Sequence, residues 1–320
     1  GLLALAGVAF ATSGPGAMNL VTGIVEIGAG AQTGLAQIVA QRLRIDPGMI
    51  HVVQEVMTDR SPHDWTTAAS RSLFMAGRAA LEAAEDAMAQ IREVASQPLG
   101  CKPEDLEVAG GRVFVAGDPD RGLSLPQVVC GYSYPNGNSI GGPVIGRGRY
   151  IAEGLTGIDP QTGAGRPGIE WTLGCEGVEV EVDLREGSYR VLRAACCMDV
   201  GRVINPALAR GQIVGAMGMA LGFAGSEAFS FDERNRLVNG ALRNFKIPRY
   251  GDQPQYIVDF LETPQKDGPY GARGLGEQGI LGIPGALAGA LSRAIKKSLN
   301  QLPLTPESIW RALAGGLNSG

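Results

Sequence analysis

The chain has 320 residues, a formal net charge of −4 and 48 glycines. This length allows a large core in two lobes, and the charge argues against a nucleic-acid or anionic membrane partner. The glycines are scattered through apolar sequence, which excludes collagen-like and low-complexity chains. No apolar run is read as a membrane span, and the apolar opening lacks the basic flank of a signal peptide, so we interpret it as a strand.

The cysteine and histidine content excludes several kinds of metal site. The five cysteines form no CxxC pair, and there are only two histidines. We therefore expect no disulfide framework, no zinc ribbon, no His-rich zinc site and no iron–sulfur cluster carried by this chain. A reducing cytoplasm is the expected compartment.

The first third of the chain predicts a strand–glycine turn–helix unit. Residues 2–10 and 17–27 read as strands joined by a turn at 12–16, and the second ends in EIGAGAQT. A helix with Leu35, Ile38 and Leu43 on one face follows. This layout offers backbone N–H groups and a helix N-terminus to an anion such as phosphate. The alternative is a glycine turn that serves packing alone.

A second anion-binding candidate follows a short predicted strand at 49–55. Residues 58–72 are rich in hydroxyls, with Ala68 and Ala69 near the end. Hydroxyls and backbone amides could hold another part of a phosphorylated ligand, or the segment could cap the long helix predicted at 73–97.

The middle of the chain is read mainly from local turns. A hairpin is predicted at 106–109 and 112–116, long loops at 130–148 and 159–168, and a second hairpin at 177–184 and 188–199. Cys196 and Cys197 would lie on opposite faces of that last strand, so their adjacency does not make a site. A glycine-rich helix at 207–223 and strands at 237–245 and 256–262 complete the prediction.

Residues 271–290 carry the strongest candidate for chemistry. They read GARGLGEQGILGIPGALAGA, a glycine loop with one carboxylate, Glu277, before a helix that begins near Pro284. A carboxylate held on a glycine loop against an apolar helix is expected to be partly desolvated, and desolvation makes a carboxylate a better general base. The alternative is a solvated loop acid or helix cap.

The same loop formally matches G-x-G-x-x-G at 274–279. A dinucleotide fingerprint needs a strand running directly into it and an acid about twenty residues on, and neither is present. We reject that match. The loop at 28–33 has the better strand–helix context, so a nucleotide-dependent oxidoreductase remains an alternative there.

Four segments in order resemble one family. They are VEIGAGAQTGLAQIVAQRL, TTAASRS, MDVGRVINPALARGQIVGAMGMALG and GARGLGEQGILGIPGALAGALSRAI. Their order and rough spacing are similar to the second molybdopterin-binding domain of the xanthine dehydrogenase and aldehyde oxidase family of molybdenum hydroxylases. The resemblance covers nearly the whole chain and is weakest between about residues 98 and 170. It implies an α+β fold in two lobes of mixed or antiparallel sheet packed with helices, which we divide at 1–125 and 126–320.

The resemblance also implies roles for particular residues. Glu277 would be the general base in the hydroxylation of an electron-poor carbon with oxygen from water, and Gln212 would contact the pterin. The metal would be held through the pterin dithiolene rather than by protein ligands. The other residues implied near the cofactor are Gly28, Ala29, Gly30, Thr33, Ala68, Ala69, Ser70, Ser72, Gly274 and Gly276. Ala29 replaces the usual glutamine of G-Q-G, and Met219 replaces a second helix glutamine, which puts the detailed cofactor contacts in question.

The implied partners follow from what the segments do not include. No first molybdopterin-binding domain, flavin domain or cluster cysteine set is evident. The arrangement resembles nicotinate dehydrogenase, whose molybdenum domain is divided between two polypeptides. It implies a large molybdopterin subunit, a FAD subunit and a 2Fe–2S subunit as partners, and a cofactor in the molybdopterin cytosine dinucleotide form. Nicotinate, another N-heterocycle, a purine and an aldehyde are all open as substrate, and a non-catalytic scaffold subunit is the remaining alternative.

Overall fold

The computed structural model describes residues 18–59 and 61–314, together with the backbone of residues 3–10. The strands are β1 Leu3–Phe10, β2 Met18–Thr22, β3 Ile50–Val52, β4 Leu106–Ala109, β5 Arg112–Val115, β6 Asp118–Ser124, β7 Tyr132–Ser133, β8 Ser139–Ile140, β9 Ile145–Ile151, β10 Gly174–Val182, β11 Tyr189–Asp199 and β12 Gln255–Leu261. The helices are α1 Ala31–Leu43, α2 Ser72–Leu99, α3 Leu125–Val128, α4 Pro206–Gly225, α5 Ile283–Ile295 and α6 Pro306–Ala314.

The chain forms two compact units and passes between them repeatedly. Unit 1 consists of Gly1–Trp171, Gly201–Asn205 and Thr263–Gly274, and unit 2 consists of the remainder. The first crossing therefore follows Trp171, whereas the sequence places the boundary between the lobes at 125/126. The difference arises because β9 pairs antiparallel with β1, which brings the segment after residue 125 back into the first unit.

Unit 1 is built on a mixed four-stranded sheet in the order β3-β2-β1-β9. The antiparallel pair β1–β2 confirms the two predicted N-terminal strands, although β2 ends at Thr22, before Gly23. The turn predicted at 12–16 lies outside the described residues. The predicted hairpin at 106–116 is confirmed as β4–β5, with β6 as an additional strand that the sequence did not indicate.

Strand β9 shows why the long loop predicted at 130–148 is only partly correct. A Cβ atom at Gly146 or Gly148 would lie 2.0 Å from a carbonyl oxygen of α2, so the two glycines let the strand pack directly on that helix. In the sequence these glycines resemble a loop signal. They are instead the small residues of a helix–strand contact.

Helix α2 also satisfies the exposed edge of β9. The N–H groups of Ile145, Arg147 and Arg149 donate to α2 side chains at distances of 3.1, 2.8 and 2.8 Å. The acceptors are Gln90 Oε1, Asp86 Oδ2 and Glu82 Oε2, spaced four residues apart on one face of the helix. The edge strand is therefore not available for pairing with another strand.

Unit 2 is built on a three-stranded sheet in the order β10-β11-β12, with β10–β11 antiparallel and β11–β12 parallel. The predicted hairpin and the predicted helices at 207–223 and after Pro284 are confirmed. Helix α5 buries Ile283, Leu287, Leu291 and Ile295 at helical spacing, and the last three lie in a cluster with partly buried side chains of β10.

The strand predicted at 237–245 is wrong. That segment has one isolated bridge, between Phe231 and Leu237, and is otherwise turns. Asp232 Oδ1 accepts the N–H groups of Arg234 and Arg236, both at 2.9 Å, which holds the chain in a tight turn. That turn lies just before the segment. Within the segment, the Ala241 carbonyl accepts the N–H groups of Asn244 and Phe245 at 2.8 and 2.9 Å, so the chain turns again instead of continuing as a strand.

Helix α4 is long and apolar enough to cross a bilayer by length and composition, contrary to the sequence-based reading that no such run is present. Its inner face, with Ile213, Met217, Ala220 and Ala224, is buried within unit 2. Much of its apolar character comes from small residues, glycine and alanine, rather than from a continuous run of large apolar side chains. We interpret it as a packing helix of this unit.

Candidate functional site

The glycine loop before α1 is occupied by a carboxylate of its own. Glu26 Oε1 accepts the N–H groups of Gly28 and Gly30, both at 2.9 Å, and Glu26 Oε2 accepts that of Gln32 at 3.1 Å. Gly28 and Gly30 have φ values of +103° and +75°, which curl the backbone around this side chain. The prediction that these N–H groups are available to a phosphate is therefore wrong.

The electrostatics of the loop agree with this geometry. Burial raises the pKa of Glu26, but the backbone N–H bonds from Gln32, Gly30, Gly28 and Ala29 outweigh burial, and the net pKa is lowered. The carboxylate is thus ionised and its charge opposes a phosphate at the same place. The nucleotide-dependent alternative, which relied on this loop, loses its structural support. Of the other two residues predicted near the cofactor in this loop, Thr33 is exposed and Ala29 is half-buried.

The segment at 61–72 is shaped by a buried ion pair. Arg71 Nη1 lies 2.6 Å from Asp64 Oδ1, and the two side chains are 5% and 2% exposed. The same guanidinium donates to the Thr66 carbonyl and lies 5.7 Å above the Trp65 ring centroid. Because removing one partner of a buried pair leaves the other uncompensated, this pair holds the segment in one conformation.

That conformation includes two residues with a left-handed backbone. Ala69 and Ser70 have φ values of +54° and +55°, an uncommon state for residues other than glycine. Ala68 and Ala69 are exposed, while Ser70 and Ser72 are half-buried. Strained residues such as Ala69 and Ser70 are often associated with ligand sites. The resemblance places both of them, together with Ala68 and Ser72, near the cofactor.

Unit 1 brings three of the predicted groups together. The Val25 N–H donates to Thr67 Oγ1 at 3.0 Å, which joins the glycine loop to the 61–72 segment. A Cβ atom at Gly274 would lie 1.7 Å from the Ser70 carbonyl oxygen, so only glycine permits this approach. The glycine loop, the Ser70 turn and Gly274 therefore form one contiguous region, called here the unit 1 site.

Helix α2 begins within this site with no acidic residue in its first turn, and the Asp64 carboxylate beside its N-cap residue is paired with the Arg71 guanidinium. Its N-cap residue, Arg71, makes no side-chain cap hydrogen bond, and none of its first-turn residues, all of which the structure describes, is acidic. A 28-residue helix presents a partial positive charge at such an end. The start of α2 is therefore better suited to an anion than the start of α1.

Glu170 is a part of the unit 1 site that sequence reasoning missed. Its Oε1 accepts the Gly274 N–H at 2.7 Å, and its buried Oε2 has no hydrogen-bond partner among the described residues. Burial raises the pKa of Glu170 to about 7, against the lowering effects of Gly274 N–H and Arg273. A single glutamate in a Gly- and Pro-rich stretch gives no sequence signal for this contact.

The part of the predicted catalytic loop that carries Glu277 belongs to unit 2, which the chain re-enters at Leu275. Gln278 Oε1 accepts the N–H groups of Gly276 and Glu277 at 2.9 and 3.1 Å, so the side chain after Glu277 folds back and fixes the loop. A Cβ atom at Gly279 would lie 3.0–3.3 Å from Ala216 and Ile213, which seats the loop on α4. Glu277 itself is exposed. The expectation that this chain partly desolvates it is wrong.

The face of α4 near this loop has little side-chain cover. Gly211 and Gly215 have open space where a Cβ would lie, and Gln212 between them is half-buried. Met219, one turn further on, is 65% exposed. Bare backbone beside a donor–acceptor amide is a surface that a flat polar ligand can approach closely.

Glu176 is a second glutamate that the sequence analysis did not identify, and it binds the backbone at the C-terminal end of the Glu277 loop. Glu176 Oε2 accepts the Gly282 N–H at 2.6 Å, where the loop meets α5. Burial is the main cause of the raised pKa of Glu176. Burial and the neighbouring Glu176 charge also raise the pKa of the Cys196 thiol to about 12. The thiol is therefore protonated and unreactive.

The comparisons identify the class of protein. A family model described as molybdopterin cofactor-binding domain matches residues 6–254. The chain therefore belongs to the molybdopterin cofactor-binding domain family, as the order of the four segments predicted.

Two relatives are named as dehydrogenase subunits. It is 32% identical over 305 residues to the 6-hydroxypseudooxynicotine dehydrogenase complex subunit gamma of Paenarthrobacter nicotinovorans, covering 94% of this chain and 36% of that protein. It is 29% identical over 308 residues to a putative xanthine dehydrogenase molybdenum-binding subunit of Escherichia coli (strain K12), covering 96% of this chain and 39% of that protein.

A solved structure agrees in fold. The quinoline 2-oxidoreductase of Pseudomonas putida 86 superimposes with a TM-score of 0.80 at 25% identity, over 98% of this chain and 38% of that one. The mixed α/β fold of a molybdopterin-binding domain is thereby confirmed. The chain spans less than two fifths of the length of each of these relatives.

Proposed function

We propose that this chain is the molybdopterin-binding part of a molybdenum hydroxylase that inserts a water-derived hydroxyl at an electron-poor carbon. Membership of the family and the two dehydrogenase relatives support this class. The substrate stays open among an N-heterocycle such as nicotinate, a purine and an aldehyde, because the similar proteins include one named for quinoline and one named for xanthine, a purine.

Each unit, taken by itself, carries a surface that fits one part of a molybdopterin dinucleotide. The open backbone at Gly211 and Gly215, with the Gln212 amide between them, suits the flat polar pterin. The start of α2, beside Ser70 and Ser72, suits a phosphate. The loop at Gly28 fits less well, because Glu26 already accepts its N–H groups. Phosphate binding is therefore assigned to the Ser70–Ser72 side of the unit 1 site.

Glu277 is the residue that we assign to proton transfer. The bound molybdenum cofactor supplies the two-electron oxidation and the oxygen transfer. Glu277 accepts the proton that is released as the new carbon–oxygen bond forms, which is the role of a general base. The observation that carries this assignment is the loop itself, in which Gln278 fixes the neighbouring N–H groups while the Glu277 side chain is exposed.

The remaining parts of the enzyme are proposed to reside on partner subunits. These are a large molybdopterin subunit, a FAD subunit and a 2Fe–2S subunit, as in nicotinate dehydrogenase, and the cofactor is the cytosine dinucleotide form. The name of one relative as a subunit of a dehydrogenase complex supports a multi-subunit assembly. We place the complex in the cytoplasm, a reducing compartment that suits the five free cysteines and in which a disulfide is transient.

The decisive experiment replaces Glu277 in the native complex. In Glu277→Gln we expect hydroxylation to fall by about 10²–10⁴-fold, the usual contribution of a general base, while molybdenum per chain stays unchanged. Molybdenum is measured by mass spectrometry and hydroxylation by product formation. Glu307→Gln, which neutralises an exposed helix glutamate of α6, is the matched control and should change neither quantity.

Two outcomes would contradict the proposal. Full activity in Glu277→Gln would remove the assigned base. A wild-type complex without molybdenum would favour the non-catalytic scaffold, a candidate suggested by Ala29 and Met219 in place of two family glutamines.

A further inference from the structure

Two cysteines face each other across the hairpin of unit 2. Cys175 of β10 and Cys197 of β11 are direct partners in the antiparallel register. Directly opposite residues point to the same face of a sheet, so the two thiols share one face. Cys175 is exposed and Cys197 is half-buried on that face.

The ladder indicates how far apart the two residues lie. The Asp199 N–H donates to the Leu173 carbonyl at 2.8 Å, which makes this pair a hydrogen-bonded one. Because hydrogen-bonded and non-hydrogen-bonded pairs alternate, Cys175 and Cys197, two steps along, also form a hydrogen-bonded pair, with Cα atoms about 5.5 Å apart. Disulfides join Cα atoms roughly 4.4–6.8 Å apart, so the Cα separation of this pair lies within the range that a disulfide spans.

Cys196 is excluded as the partner. It points to the opposite face of β11, is 3% exposed, and lies beside the Glu176 carboxylate. A thiol that stays protonated in a buried, negatively charged setting neither attacks an oxidant nor exchanges with a disulfide. The exposed face therefore carries one cysteine pair in this sheet, and the buried face carries an inert thiol.

We propose that Cys175 and Cys197 form a reversible dithiol site that a hydroperoxide oxidises to a cross-strand disulfide. The more exposed Cys175 sulfur attacks the peroxide, giving a sulfenic acid and one molecule of water or alcohol. The Cys197 sulfur then displaces the hydroxyl as water, forming the S–S bond. The two thiols lose two electrons and two protons, and the peroxide O–O bond is reduced by the same two electrons.

The bond is expected to be easily reduced again. Cβ atoms of directly opposite residues are about 4.5–5.5 Å apart, whereas a disulfide holds them about 3.8 Å apart. Closing this difference within a continuous ladder strains the bond, and strained, exposed disulfides are the labile ones. A low-molecular-weight thiol should therefore restore the dithiol.

The site also has a route to the loop that carries Glu277. Glu176 follows Cys175 in β10 and points to the buried face, where it accepts the Gly282 N–H at 2.6 Å. Drawing Cys175 toward β11 shifts the backbone of Glu176 and lengthens this hydrogen bond. The Gly282 amide should then exchange its hydrogen faster in the oxidised protein than in the reduced one.

The test uses the protein as purified with its natural partners. Wild type and Cys196→Ser are treated with increasing hydrogen peroxide, remaining thiols are alkylated, and tryptic peptides are analysed without reduction. We expect a cross-link from the Cys175 peptide to the 194–202 peptide in both proteins, reversed by dithiothreitol. The Cys196→Ser protein keeps only Cys197 in that second peptide, so it identifies the partner.

Cys175→Ser is the matched variant for the other strand. It should give no cross-link and should leave Cys197 as a single oxidised or alkylated residue. Oxidation of Cys175 to sulfinic acid in wild type without any cross-link would overturn the proposal, as would a cross-link that disappears in Cys196→Ser. Unchanged exchange of Gly282 after cross-linking would remove the link to the glutamate loop.

Discussion

Helices α1 and α2 of unit 1 begin in opposite ways. The N–H groups at the start of α1 are taken by the Glu26 carboxylate, which bonds Gly28, Gly30 and Gln32. Helix α2 begins at Ser72, where N-cap Arg71 makes no side-chain cap hydrogen bond. In the sequence, the glycine-rich start of α1 is the stronger phosphate signal. In the structure, the start of α2 is the better anion site.

The two helix starts show that a glycine turn before a helix can bind an anion from the same chain, here a side-chain carboxylate. The turn therefore predicts an anion but does not tell whether it is a ligand. Both helix starts carry the same partial charge. What distinguishes them is the carboxylate of Glu26, five residues before the first residue of α1, which bends back onto the turn. Four backbone bonds lower the pKa of that carboxyl, so the protein supplies its own anion there.

The largest expected effect comes from placing a carboxylate at the start of α2, as the Glu26 carboxylate is already placed at the start of α1. Ser72→Asp places a carboxylate in the first turn, where it should repel a bound phosphate. At an effective dielectric of about 20, two unit charges about 4 Å apart interact by about 4 kcal/mol, so we expect cofactor content to fall at least about tenfold. The measurements are molybdenum per chain and nucleotide released on acid hydrolysis.

Ser72→Asn is the matched control, since it has the same shape without the charge and should keep the cofactor. Misfolding does not explain a loss in Ser72→Asp, because a carboxylate at a helix N-terminus stabilises it by about 0.3–1 kcal/mol. Full cofactor content in Ser72→Asp would show that no phosphate binds at the start of α2.

Glu170 is a second carboxylate of unit 1 and contrasts with Glu26. It accepts a hydrogen bond from the backbone N–H of Gly274, whereas Glu26 accepts hydrogen bonds from several. The pKa of Glu170 rises from 4.5 to about 7. Between these pH values the folded state holds a proton that the unfolded state has lost, so the free energy of unfolding falls as pH rises through this window. Above pH 7 the cost of the buried charge is on the order of 3 kcal/mol.

Glu170→Gln keeps an acceptor for the Gly274 N–H and removes this charge. We expect the variant to be more stable than wild type at pH 8 and equally stable at pH 4, measured by denaturant unfolding. Glu153→Gln, an exposed glutamate of the same unit, is the control. A pH-independent difference between Glu170→Gln and wild type would mean that the carboxyl does not titrate in this window.

The smallest effect concerns Glu26. Glu26→Gln retains one acceptor oxygen but loses the second and the charge. Because Glu26 is exposed and solvent screens its charge, the change should lower the free energy of unfolding by only about 1 kcal/mol at pH 7. Because the folded pKa of Glu26 is lowered, its contribution is full above the unfolded value of 4.5 and is lost as pH falls through the folded pKa.

The two proteins should therefore converge in stability below pH 4.5, in unfolding experiments that include Glu55→Gln as an exposed control. An equally stable Glu26→Gln at pH 7 would show that water satisfies the loop as well as the carboxylate does. A gain of phosphate affinity in that variant would show that Glu26 keeps this loop closed to anions.

The elements that the sequence predicted correctly are those whose pattern lies within one short stretch of the chain. The β10–β11 hairpin was found because its alternation and its turn at Gly187 lie within a few residues of each other. Helices α1, α2 and α5 were found from helical periodicity. Strand β9 was missed because Gly146 and Gly148 serve a contact with α2, some sixty residues away in the chain.

The sequence by itself determined the family, because the order of four motifs survives even where single contacts such as Ala29 and Met219 differ. Only the tertiary structure shows which backbone N–H groups already have an acceptor and which carboxylates are buried. It placed Glu26 on the glycine loop, buried Glu170 against Gly274, and left Glu277 exposed. The physical reason is that ionisation and hydrogen bonding depend on neighbours within a few ångströms, and those neighbours come from distant parts of the chain.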